Sequence, residues 1–174
     1  MLTWPFSRSR AASDGARLLA AVEAASRRPD FYGSGKVADT LEGRFELLAL
    51  NAALALVRLK LEPGAQSLAQ DFTDRFFRSL DAGLRESGVG DLTVPKKMRR
   101  LAGEFYGRVN TYSAALAARD EVALTAAIAR NIVTADAALF ATHLAANAAM
   151  AAGTQAEAPL EILFSAEGWP GLVR

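Results

Sequence analysis

Thr40-Leu41-Glu42-Gly43-Arg44-Phe45-Glu46-Leu47-Leu48-Ala49-Leu50-Asn51-Ala52-Ala53-Leu54-Ala55-Leu56-Val57-Arg58-Leu59-Lys60-Leu61 is the stretch that decides the fold. Wound as a helix, it places Leu47, Leu48, Leu50, Leu54, Leu56, Val57 and Leu59 around almost its whole circumference. A helix that is apolar all round belongs in the middle of a protein. Asp39 with Glu42 three residues later resembles a capping box at its start, and Pro63-Gly64 ends it. Asn51, alone among apolar neighbours, reads as a buried amide that bonds a helix terminus or loop.

The flanking segments supply helices to surround it. Asp14 to Arg27 reads as one, capped by Ser13 and stopped by Pro29, with a glycine-bearing loop from Asp30 to Ala38. Ser67 with Gln70 opens another that runs to about Ser87. Its buried side is Leu68, Phe72, Phe76, Leu80 and Leu84, and Asp71–Arg75, Asp74–Arg78 and Asp81–Arg85 are spaced for pairing on the wet side. Gly88 is its expected stop. After the connector 88–93, a helix starting near Val94-Pro95 carries the stripe Met98, Leu101, Phe105, Val109, Tyr112 and Leu116. Asp120 to about Ala152 is alanine-rich and reads as one long helix or as two meeting near Thr134-Ala135. A loop from Gly153 to Ala158, a short helix over 159–164 and an irregular tail around Gly168 and Pro170 complete the chain. No segment shows strand alternation. The expectation is an all-α, single-domain bundle of about six helices: an arm over 1–12, the helical domain over 13–165 and a tail over 166–174.

Composition limits what such a bundle does. The 174 residues are 51% hydrophobic and 22% charged, enough for a core without staples. Twenty basic and 19 acidic residues give a net charge of +1, which argues against a general nucleic-acid binder. With no cysteine, thiolate catalysis, disulfides and cysteine-type metal sites are out, and a single histidine rules out a multi-histidine metal site. His143, with Asn147 four residues on, reads as a hydrogen-bonded core or groove histidine; a catalytic base would need a nucleophile and an orienting group that spacing does not identify. Neither 47–57 nor 137–156 reads as a membrane span, the first being too short and the second dominated by alanine.

Two stretches point toward surfaces. The N-terminus has no signal-peptide core, and its basic, serine-containing start resembles a mitochondrial presequence only in outline. It reads either as a frayed arm packed on the domain or as an interfacial one. In the second case Leu2, Trp4 and Phe6 contact the bilayer while Arg8 and Arg10 meet anionic lipid. Lys96, Lys97, Arg99 and Arg100 place four cations in the first turns of a helix, against its dipole. They read either as a solvated face, paired with Glu86, Asp91 or Glu104, or as an anion-facing patch. Gly88-x-Gly90 lacks the third glycine and the preceding strand of a phosphate loop. Phe105, Tyr106 and Tyr112 read as core, with a tyrosine hydroxyl reaching the surface.

Arg44-Phe45-Glu46-Leu47-Leu48-Ala49-Leu50 resembles the opening motif of the ubiquinol–cytochrome c chaperone family. The longer likeness runs through Phe76-Phe77-Arg78-Ser79-Leu80-Asp81 and Leu84-Arg85-Glu86-Ser87-Gly88-Val89-Gly90-Asp91. It continues through Leu92-Thr93-Val94-Pro95-Lys96-Lys97-Met98, Phe105-Tyr106-Gly107-Arg108 and the later Arg130-Asn131, covering roughly residues 30–150. The resemblance implies an all-helical, non-enzymatic assembly factor for the cytochrome bc1 complex that holds newly made cytochrome b. It further implies a small helper protein and the ribosome as partners. For a chain this short it implies a bacterial form, cytoplasmic and peripheral at the inner face of the plasma membrane. No catalytic constellation and no cofactor come with it.

Immature cytochrome b exposes apolar surface, so its chaperone needs an apolar groove. The expectation is a groove beside the connector with Lys96, Lys97, Arg99 and Arg100 as its charged rim. The client- or partner-binding candidates are these four with Arg85, Asp91, Met98, Phe105, Tyr106 and Arg108. A helical nucleic-acid- or ribosome-binding module using Lys96 to Arg108, and a small helical enzyme, are the alternatives.

Overall fold

The computed structural model describes residues 8–132 and 137–172, with side chains from Asp14 onward. Leu2, Trp4 and Phe6, the side chains of Arg8 and Arg10, and the expected junction at Thr134-Ala135 lie outside the described residues. Six helices account for most of what is described. They are α1 (Arg8–Ser26), α2 (Leu41–Leu61), α3 (Gln66–Glu86), α4 (Val94–Ala118), α5 (Glu121–Asn131) and α6 (Ala138–Glu157).

The central helix is α2: 12 of its 21 residues are buried, and it touches α1, α3, α4 and α6. Around it, α1 lies on α3, α4 on α5, and α5 on α6. Thr40, not Asp39, caps α2: its hydroxyl accepts from the Gly43 amide at 3.1 Å. Asp39 instead accepts from Arg44 Nε at 2.7 Å. Gly43 is required here, since a Cβ on it would sit 2.0 Å from the Ala38 carbonyl oxygen, so the incoming loop packs directly on the helix backbone. Asn51 bonds the end of α1 as expected, donating to Ser26 Oγ at 3.0 Å.

Two helix boundaries and one side-chain pairing differ from the sequence reading. α1 begins by Arg8, so Ser13 lies inside it and caps nothing. On α3, Asp74 accepts from Gln70 at 2.8 Å in place of the expected Arg78 pair. α6 runs on to Glu157, through the expected loop at Gly153. The cause is a side chain distant in sequence: buried Arg58 donates to the carbonyls of Gln155 (2.6 Å) and Ala158 (3.2 Å), which satisfies the last turn. Residues 166–168 form a short 3-10 turn, and the described residues beyond it are irregular but docked. Trp169 is only 4% exposed, its indole donates to the Leu163 carbonyl, and Asn147 donates to the carbonyls of Pro170 and Gly171.

Candidate functional site

Where α1 ends, α2 begins and α3 runs into the connector, the bundle opens into a cleft of about 1060 Å³, walled on its remaining side by α4. Its apolar lining comes from Phe45 and Leu48 of α2, Leu80 and Leu84 of α3 and Leu101 of α4. The same lining carries charges from all four helices. Glu23, Asp39, Glu42, Glu46, Glu86 and Glu104 face Arg27, Arg44, Lys97, Arg100 and Arg108. Six carboxylates against five cations make the wall mixed in charge, where the sequence reading expects a basic rim. The difference arises because α1 and α2 supply acids that pair with the cations of their own and facing helices. Arg27 meets Glu23 at 3.4 Å, Arg44 meets Asp39 at 2.7 Å and Arg100 approaches Glu104 at 3.9 Å. Among the described residues, Lys97 is the one lining cation with no carboxylate within 4 Å.

The buried ion pair is Glu46–Arg108. The guanidinium donates to both carboxylate oxygens through Nε and Nη2, with the side chains 10% and 14% exposed. Burial pushes the Glu46 carboxyl above its ordinary range even though Arg108 pulls the other way. The Arg108 guanidinium lies 5.7 Å from the Phe45 ring. Beside the pair, Tyr112 is fully enclosed, and its hydroxyl lies near Asn131 without a well-formed hydrogen bond; burial pushes its pKa up to about 12. Tyr32 lines the opposite wall, its hydroxyl donating to the Ser26 carbonyl at 2.6 Å.

The expected site residues do not share one surface. Lys97, Arg100 and Arg108 line the cleft. Arg85 and Asp91 meet each other: Arg85 donates to Asp91 at 2.5 Å and to Asp81 at 2.7 Å, tying the connector to α3. Gly88, with φ of 80°, makes the turn between them, whereas Gly90 does not adopt a positive φ. Lys96 and Arg99 are exposed on the outer side of α4. Phe105 is fully buried in an aromatic stack, its ring 4.5 Å from that of Phe76. Tyr106, half-exposed, packs against Phe77 at 5.8 Å, and Met98 is half-buried outside the cleft.

Sequence reasoning missed Glu46, Arg44 and Tyr32 as cleft residues. The available signal was Glu46 itself, an acid set between Phe45 and Leu47 in a helix that is apolar almost all round. His143 is exposed, not a core or groove residue, and does not line the cleft. α6 buries Phe140, Ala141, Leu144, Ala145 and Ala148, and position 143 falls on the other side. Among the described residues, no three His, Asp or Glu side chains converge as a metal site would need. No helix among them is long and apolar enough to cross a membrane.

The described residues thus form a helical bundle with an open cleft whose lining is part apolar and part charged. The chain belongs to the ubiquinol-cytochrome C chaperone family, whose model matches residues 34–166. The crystal structure of the Cbp3 homolog from Brucella abortus is similar to it with a TM-score of 0.78 at 39% identity, covering 96% of this chain and 93% of that one. No curated protein matches the chain significantly.

Proposed function

We propose that the chain is a non-enzymatic assembly chaperone of the cytochrome bc1 complex that holds unassembled cytochrome b in the cleft between α1, α2, α3 and α4. The observation that carries this reading is the cleft, whose 1060 Å³ corresponds to roughly two turns of a helix about 10 Å wide. Phe45, Leu48, Leu80 and Leu101 offer an apolar floor to such a segment, and burial of apolar surface supplies the gain. The paired charges in the same lining limit which segments enter, since an incoming chain must match or displace them. Lys97, the unpaired cation, favours a client whose loop presents a carboxylate or a helix C-terminus there. Because the client is a membrane protein, this reading has the chaperone working at the inner face of the membrane.

The test is recovery of cytochrome b with the tagged full-length chain from cells, beside the b-type haem spectrum of the bc1 complex in a deletion strain. The deletion is expected to lower that haem signal. Lys97→Glu with Arg100→Glu is expected to lower cytochrome b recovery at least about fivefold, on the scale of two rim charges reversed. An undiminished haem signal in the deletion strain refutes the chaperone reading. Full recovery with the double variant refutes the role of this cleft.

A further inference from the structure

We infer that the outer face of α4's first half, with Leu92 at its tip, is a docking surface for an anionic bilayer. It is separate from the cleft and independent of what the cleft holds. Leu92 is 98% exposed. It sits in the turn that winds into α4, where the Thr93 amide donates to the Gly90 carbonyl at 2.8 Å and Val94 to the same oxygen at 3.2 Å. The Arg85–Asp91 bond at 2.5 Å braces that turn from α3. A bulky apolar side chain is therefore held out on a fixed tip and packs on nothing in its own chain.

Helical spacing sets Lys96 one turn behind Leu92, followed by Arg99, Gly103 and Tyr106, all exposed and along one side. From Leu92 to Ala118 no exposed position carries a carboxylate. Over residues 85–100, five cations stand against two acids, a net charge of +3. One of those acids, Asp91, is already engaged by Arg85. An apolar tip, flanking cations and an aromatic with a polar end match the three requirements of the lipid interface: insertion below the headgroups, attraction to anionic lipid, and an amphipathic ring at headgroup level. Charge complementarity alone would also suit RNA. A protruding leucine at the tip does not, because single-stranded nucleic acid is held by stacking and an aliphatic side chain offers a base no ring to stack on.

The experiment measures sedimentation of the full-length chain with vesicles of phosphatidylcholine, and with vesicles of phosphatidylcholine mixed with phosphatidylglycerol. Polyuridylate binding is followed in parallel. Binding is expected on the mixed vesicles only and to weaken with salt. Lys96→Glu with Arg99→Glu should lower it by at least about fivefold per charge, the scale of one cation at an anionic surface. Leu92→Asn should lower it about tenfold by removing the inserted side chain, while leaving any polyuridylate binding unchanged. Leu92 makes no internal contact, so its variant is expected to keep the wild-type circular dichroism and melting point. Equal binding to neutral and anionic vesicles overturns the inference. So does anionic-vesicle binding that neither variant weakens, or polyuridylate binding that equals vesicle binding and falls in step with it in both variants.

Discussion

Replacing Arg108 with Met leaves the Glu46 carboxylate without its partner in the cleft wall. Both side chains are nearly enclosed, at 14% and 10% exposed, and the guanidinium donates to both oxygens. Breaking a buried pair of this kind costs about 3–5 kcal/mol, against 0–1 for an exposed one. Because the pair borders an open cleft, the lower end applies, about 3 kcal/mol. For a chain of this length that is a fall in Tm of roughly 6–12 °C, or about 1.5 M in urea midpoint for a slope near 2 kcal/mol/M.

The pH dependence has a definite sign. Folded Glu46 holds its proton more tightly than the unfolded chain does. Its contribution to stability therefore declines as pH rises through the ordinary glutamate range, and levels off above its folded pKa. Losing Arg108 raises that folded pKa further, so the gap between variant and wild type widens with rising pH and narrows on acidification. Urea unfolding followed by circular dichroism at neutral and acid pH measures it, and Glu46→Gln with Arg108→Met should recover most of the loss. A deficit below about 1 kcal/mol that does not change with pH would show that water screens the pair and that the cleft wall is not braced by it.

Two further predictions concern the packing behind the site. Trp169→Ala should cost about 3–5 kcal/mol in thermal unfolding, since the side chain is 4% exposed and its indole bonds the Leu163 carbonyl; a change within 0.5 kcal/mol would make the residues after 165 peripheral to stability. Tyr112→Phe should leave stability unchanged or raise it by up to about 1 kcal/mol, because it deletes a buried hydroxyl that makes no well-formed hydrogen bond. A loss above about 1 kcal/mol on denaturant titration would reveal that the hydroxyl is satisfied.

The sequence makes α2 legible because circumferential apolarity has one cheap solution, a helix surrounded by others. The stop of α3 at Gly88 and the start of α4 at Val94-Pro95 are legible for the same reason, as local backbone chemistry that tertiary contacts leave undisturbed. α6 is not legible past Gly153. Its last turn is completed by Arg58, about a hundred residues away, and no local propensity encodes a partner at that distance. The cleft is half-legible. Lys97, Arg100 and Arg108 stand among the expected binding residues, whereas Glu23, Arg44 and Glu46, the last two in a quoted motif but assigned no role there, face them because α1 ends and α2 begins at the same corner.

The basic cluster shows why a run of charges is a poor guide to a single site. At 3.6 residues per turn, positions 96, 97, 99 and 100 spread over about 160° of the helix circumference. They cannot all face one partner. Lys97 and Arg100 fall toward Leu101, Glu104 and Arg108, on the cleft side. Lys96 and Arg99 fall toward Leu92, Gly103 and Tyr106, on the open side. The buried stripe of Val94, Phe105 and Tyr112 fixes this rotation, since turning α4 to bring all four cations into the cleft would expose three side chains that are now fully enclosed. One helix thus separates two surfaces, and the two pairs of variants report on them separately: reversing 97 and 100 acts on cytochrome b recovery, and reversing 96 and 99 acts on vesicle binding.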